Sequence, residues 1–133
     1  MQDLNDFVNS WEDCSMKELF LELKRLLQEK EGIELIFNPR PGVSYSLRAR
    51  HSAQKERGLF VMVDVIDDDP SNRWLSICFY GDMITDPEQR GNLIPDGLQG
   101  EDGYCFDVDD LDEEYISYIK ARIEEAYENA LKG

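Results

Sequence analysis

The chain has 133 residues, of which 41% are hydrophobic, so it suits an ordinary globular core and lacks the low hydrophobicity of disordered proteins. Its 29 acidic residues outnumber its 14 basic residues and give a net charge of −15. Such a surface repels phosphates and anionic lipids, so we expect neither nucleic acid nor a membrane as a partner. The sequence shows neither a basic targeting segment nor an apolar run of about 20 residues, and we therefore expect a cytoplasmic protein.

Two amphipathic segments open the chain. In residues 1–14, apolar side chains recur at helical spacing, which predicts either a short docked helix or a mobile arm that orders on a partner. Ser15 and Glu18 have the S-x-x-E spacing of a capping box. The apolar positions after them predict a helix that Gly32 ends.

From residue 33 the hydrophobic period changes from that of a helix to that of a strand. Short turns join the first four strands, which favours an antiparallel meander. A second amphipathic helix, with Asp110 and Glu113 at its start, closes the chain. We therefore predict a single α+β domain over residues 1–133, with a meander sheet of about five strands and N- and C-terminal helices packed on one face. The five predicted strands are 33–37, 43–51, 58–66, 74–80 and 104–108.

A long segment punctuated by glycines, residues 82–103, separates the last two predicted strands. Connections of about 20 residues exceed the usual length of roughly 4–6, and such loops often carry function. The acids Asp82, Asp86, Glu101 and Asp102 in this segment suit ligands or hard cations. Because the EF-hand spacing is absent, we predict no metal site and keep divalent cation binding as a weaker alternative.

The acidity of the chain is uneven. Residues 40–57 contain five basic residues against a single acid, a local net charge of +4 that leaves −19 on the rest of the chain. Arg48, Arg50 and the only histidine, His51, fall on the second predicted strand. Guanidinium groups bind anions in bidentate geometry, so these three residues are a candidate ligand site with the long acidic segment as its lid. The alternative is that the arginines pair with acids on neighbouring strands, such as Asp64.

The three cysteines, Cys14, Cys78 and Cys105, show no metal-binding or redox spacing. We expect reduced thiols, with one disulfide as the open alternative. Cys78 and Cys105 lie within apolar strands and are predicted to sit in the core, away from any activation by His51. We predict no catalytic residue and no cofactor.

In size, charge and element order alone, the chain resembles type III secretion chaperones and some immunity proteins, with which it shares no motif. The leading hypothesis is a non-catalytic cytoplasmic domain, monomeric or homodimeric, that binds a protein partner through its sheet or its acidic surface. An acidic inhibitor of a basic protein is one form of it. The alternative is a small anionic-ligand-binding or enzymatic domain that uses Arg48, Arg50 and His51 with the 82–103 segment.

Overall fold

The computed structural model describes residues 3–133. They form three helices and one sheet of six antiparallel strands in the order β1-β2-β3-β4-β6-β5. Within these residues, no helix is both long enough and apolar enough to cross a lipid bilayer. The elements in chain order are α1 (Leu4–Ser10), α2 (Ser15–Gln28), β1 (Ile33–Arg40), β2 (Ser44–His51), β3 (Val61–Ile66), β4 (Trp74–Tyr80), β5 (Asn92–Leu98), β6 (Glu101–Val108) and α3 (Glu113–Ala130).

The first helix is docked on the sheet. Phe7 of α1 is fully buried, and its ring stacks on that of Tyr45 in β2 with the centroids 4.0 Å apart. The guanidinium group of Arg73 lies 5.2 Å from the centre of the Phe7 ring. Of the two alternatives for residues 1–14, the structure therefore shows the helix, although Met1 and Gln2 lie outside the described residues.

Helices α2 and α3 cover the same face of the sheet as α1. The buried residues of α2 recur every three or four positions, which places them on one side of the helix. In α3, Tyr118 packs against Phe106 of β6, and Tyr127 meets Phe60 edge-on before β3. The prediction of terminal helices on one face of an antiparallel sheet is confirmed. The α2 N-cap is Cys14 rather than Ser15, which is the first helical residue.

The sheet has six strands rather than the predicted five. The additional strand, β5, lies at one edge, pairs with β6 and has six of its seven residues exposed. A two-residue turn, Gln99-Gly100, joins β5 to β6 with φ values of 52° and 81°, as the type I′ hairpin requires. The register shifts between Ile94 and Leu98, where three residues of β5 lie against one residue of β6. The segment 82–103 is therefore a turn and a hairpin, and its prediction as one long loop is wrong.

The other face of the sheet, which we call the helix-free face, is formed by side chains that alternate with those of the core. In β2, for example, Tyr45, Leu47 and Ala49 face the helices, while Arg48 and Arg50 point to the opposite side. Strand pairing extends this alternation across the sheet. The helix-free face comprises Glu34, Ile36, Asn38, Arg40, Ser44, Ser46, Arg48, Arg50, Met62, Asp64, Ile66, Trp74, Ser76, Cys78, Tyr80, Asn92, Ile94, Glu101, Gly103, Cys105 and Asp107.

Two of the three cysteines are joined across this face. Cys78 of β4 and Cys105 of β6 are directly opposite in the strand register and form a disulfide with their Cα atoms 4.1 Å apart. The prediction of reduced thiols is therefore wrong for this pair. Cys78 is buried, as predicted, whereas Cys105 is partly exposed. Their neighbours Ile77 and Phe106 face the helices, so alternation directs both sulfurs to the helix-free face. Cys14 is a free, exposed thiol.

Candidate functional site

A row of polar side chains crosses the helix-free face. Strand pairing places Asn38, Ser46, Asp64, Ser76 and Asp107 side by side on five successive strands. Antiparallel sheets often leave one face to solvent, and a polar row is typical of such a face. The row is flanked by larger side chains, so Ser46 and Ser76 are buried although no helix packs above them.

Three arginines on β1 and β2 lie beside this row without an acidic partner. The guanidinium groups of Arg40, Arg48 and Arg50 donate hydrogen bonds to neutral oxygens at 3.3, 3.2 and 2.8 Å, respectively. The acceptors are the hydroxyls of Ser44 and Ser46 and a backbone carbonyl. Within residues 3–133, none of the three arginines forms an ion pair.

The lack of a direct ion pair at these arginines weakens the alternative that they pair with acids on neighbouring strands, although the charges of Arg48 and Arg40 still act on Asp64. It is also unexpected in a chain with 29 acids, many of which are exposed. Guanidinium groups without a carboxylate partner retain donors for an incoming anion.

Asp64 is the acid closest to these arginines in the polar row. Its Oδ1 atom is buried and has no hydrogen-bond partner among the described residues. Burial raises the pKa of this carboxyl group, and the Ser46 hydroxyl and the charges of Arg48 and Arg40 oppose that rise only in part. Burial therefore disfavours the ionised form of Asp64 in the folded chain. A cation or a hydrogen-bond donor from a partner on this face would stabilise that form.

His51 does not join Arg48 and Arg50. It follows Arg50 directly, so strand alternation directs its side chain to the helix-covered face, where it is buried. Its ring meets Tyr127 of α3 edge-on, and its Nδ1 accepts a hydrogen bond from the backbone of Ala53 at 3.0 Å. These contacts explain His51 as a packed structural side chain.

Two acids of the predicted site, Asp82 and Glu101, do come together. Both bind the guanidinium group of Arg57, Asp82 at 2.7 and 2.9 Å and Glu101 at 2.6 and 3.2 Å. Arg57 also stacks over the ring of Tyr80, 4.1 Å from its centre. The hydrogen bonds from Arg57 lower the pKa of Asp82. This cluster holds the β2–β3 connection against the end of the sheet. Both of its acids already bind Arg57.

The remaining two acids of the predicted site support the backbone. Asp86 accepts hydrogen bonds from the Tyr118 hydroxyl and from the backbone of Arg90 and Gly91, at 3.0 and 2.9 Å for the two amides. Although burial opposes it, these bonds lower the pKa of Asp86. Asp102 accepts a hydrogen bond from the backbone of Asp96 at 3.0 Å. In the part of the chain that the structure describes, no group of three metal-binding side chains is close enough to hold a cation.

The predicted lid also lies in the wrong place for the predicted site. Strand β5 is at one edge of the sheet, and three strands separate it from β2, which carries Arg48 and Arg50. At about 4.8 Å per strand, this places β5 roughly 19 Å from the arginines. Arg40, the polar row and the open face were not predicted as a unit, because their association depends on the strand register.

Comparisons of the chain with known protein families, curated proteins and solved structures found no match. The helix-free face must therefore be interpreted from its own chemistry. It offers unpaired guanidinium groups, one disfavoured carboxylate and several apolar side chains.

Proposed function

We propose that the protein is a non-catalytic interaction domain that binds a protein partner on the helix-free face of its sheet. The observation that carries the proposal is the set of three arginines, Arg40, Arg48 and Arg50, which form no ion pair within residues 3–133 of a chain of net charge −15. Arginines that are already fixed by neutral hydrogen bonds can bind carboxylates with little further ordering.

The apolar side chains of the same face support a protein rather than a small anion as the partner. Ile36 is 37% exposed, and Met62, Ile66 and Trp74 are partly exposed on neighbouring strands. Non-obligate protein interfaces combine polar and apolar area in this way, and arginine and tryptophan are enriched among the residues that contribute most to binding. A small anion would need the arginines alone.

Site-specific photocrosslinking in the source cells tests the proposal. A benzophenone side chain is introduced in place of Ile36 on the helix-free face or, as a matched control, Leu131 at the end of α3, which is 42% exposed. We expect a protein adduct from position 36 and none from position 131. The absence of any adduct at position 36, or equal adducts at both positions, contradicts the proposal.

The proposed location is the cytoplasm, as expected from the sequence, and the Cys78–Cys105 disulfide gives a reason to test it. Disulfides persist mainly in oxidising compartments. The test is to alkylate thiols in intact source cells before lysis and to count the labels on the denatured protein by mass spectrometry. Labels on all three cysteines fit a reducing cytoplasm, whereas a single label on Cys14 argues for an oxidising compartment.

A further inference from the structure

We propose that the partner on the helix-free face is a second copy of this chain, with the two sheets packed face to face about a two-fold axis parallel to the strands. This inference rests on the proposed function, because it names the occupant of the same face. It follows from how charge is distributed over the face.

The charges on the helix-free face are divided between its two halves. The half formed by β1 and β2 carries Arg40, Arg48 and Arg50 against Glu34, a net of +2. The half formed by β3, β4 and β6 carries no basic strand residue. Its acids are Asp64, Glu101 and Asp107, a net of −3 when all three are ionised. The strand residues of the face therefore sum to only −1 on a chain of net charge −15, and their charge is polarised across the strands.

The direction of the two-fold axis determines whether opposite charges meet when two copies pack face to face. A two-fold axis parallel to the strands, between β3 and β4, places β2 of each copy over β6 of the other copy. The register then sets Ser46 opposite Asp107 of the second copy, and the guanidinium group of Arg48, which donates to the Ser46 hydroxyl, lies beside that carboxylate. The reciprocal contact occurs on the other side of the axis. An axis perpendicular to the strands places β2 over β2, with arginines against arginines. Only the first arrangement is electrostatically complementary.

The dimensions of the face approach those of a standard dimer interface. Six strands about 4.8 Å apart, with about seven residues each at roughly 3.3 Å per residue, give a footprint of roughly 650 Å². A standard protein interface buries about 800 Å² of accessible surface on each partner. Two sheets packed in this way also bury the apolar side chains Ile36, Met62 and Trp74, which the helices leave uncovered.

A charge exchange between two variants tests the proposal. Arg48→Asp places acid against acid in a dimer of identical chains, and Asp107→Arg places arginine against arginine. Each variant alone should dimerise about tenfold more weakly than the wild type, or worse. In an equimolar mixture, one copy of each variant restores both opposite-charge contacts, so the mixture should return to the wild-type mass. Arg25→Asp is the control, because Arg25 is exposed on α2 on the other side of the sheet.

The mass is measured by sedimentation velocity at about 100 μM, where a dimer of micromolar Kd is largely formed. Circular dichroism confirms that each variant is folded. A wild-type protein of single-chain mass overturns this inference, and so does a dimer that neither variant weakens or that the mixture fails to restore. If the crosslink from position 36 then joins a different protein, the proposed function stands and only the second copy is rejected. No crosslink at all rejects both.

Discussion

Opening the Cys78–Cys105 disulfide should lower the free energy of unfolding by about 3.5 kcal/mol. The two residues are 27 positions apart, and closing a loop of that length in the unfolded chain costs about this much conformational entropy at 25 °C. The disulfide imposes that restriction before folding begins. Because most single domains unfold at 5–15 kcal/mol, the loss is a large share of the total stability.

Urea titration followed by tryptophan fluorescence measures this effect, since Trp11 is buried and reports on the core. The oxidised wild type is compared with the same protein in reductant and with the double variant Cys78→Ala, Cys105→Ala. Both should unfold at lower urea concentration. They should also show a steeper dependence on urea, because an uncrosslinked unfolded chain exposes more surface. Cys14→Ser, at the free and exposed cysteine, should leave the midpoint unchanged.

Two results would refute this reasoning. The first is an unchanged midpoint in reductant when mass spectrometry shows that both sulfurs have been released and alkylated. The disulfide would then contribute nothing to stability. The second is alkylation of all three thiols in the unfolded but unreduced protein, which would show that Cys78 and Cys105 are not joined.

Three further perturbations test the packing and the charges. Phe7→Ala should cost about 3–5 kcal/mol in a urea titration, because Phe7 is fully buried between α1 and the sheet; a loss below 1 kcal/mol would mean that α1 is not docked. Asp64→Val should raise stability at pH 7 by about 1–3 kcal/mol, because it removes a buried, unpartnered oxygen. Because the pKa of Asp64 is raised in the folded chain, the ionised carboxylate destabilises the fold fully only above that folded-state pKa. The gain in stability of Asp64→Val should therefore shrink as pH falls toward 4, and a gain that grows at low pH would contradict this account. The lowered pKa of Asp82 has the opposite sign: its pairing stabilises above the ordinary aspartate pKa and is lost as pH falls through the folded-state pKa. The melting temperature of Arg57→Ala should therefore lie below that of the wild type at pH 7, and the two should converge at acid pH.

Most of the fold could be predicted because the hydrophobic period is strong where elements are buried. The predicted span 74–80 of β4 agrees with the structure, and the predicted strands 43–51 and 58–66 contain β2 and β3. Strand β5 could not be predicted in this way. Its residues are exposed apart from Leu98, and Pro95 interrupts it, so it has no alternating pattern.

The candidate site was harder to predict because its members are distant in the sequence. Arg57 meets Asp82 and Glu101 across 25 and 44 residues, and no local pattern reports such pairs. His51 is a different case, since alternation along β2 already separates it from Arg50. Their proximity in the sequence suggested a shared site, although the two-residue period of a strand places neighbouring side chains on opposite faces.

The irregular strand β5 limits how this sheet can grow. The register shift between Ile94 and Leu98, and the missing N–H of Pro95, disfavour regular pairing with a further strand at that edge. β1, at the other edge, pairs regularly with β2, and only Pro39 near its end lacks an N–H. Two copies that joined through β1 would present a β5 strand at each outer end, where further addition is disfavoured. The sheet is therefore built to resist edge-to-edge growth into a filament.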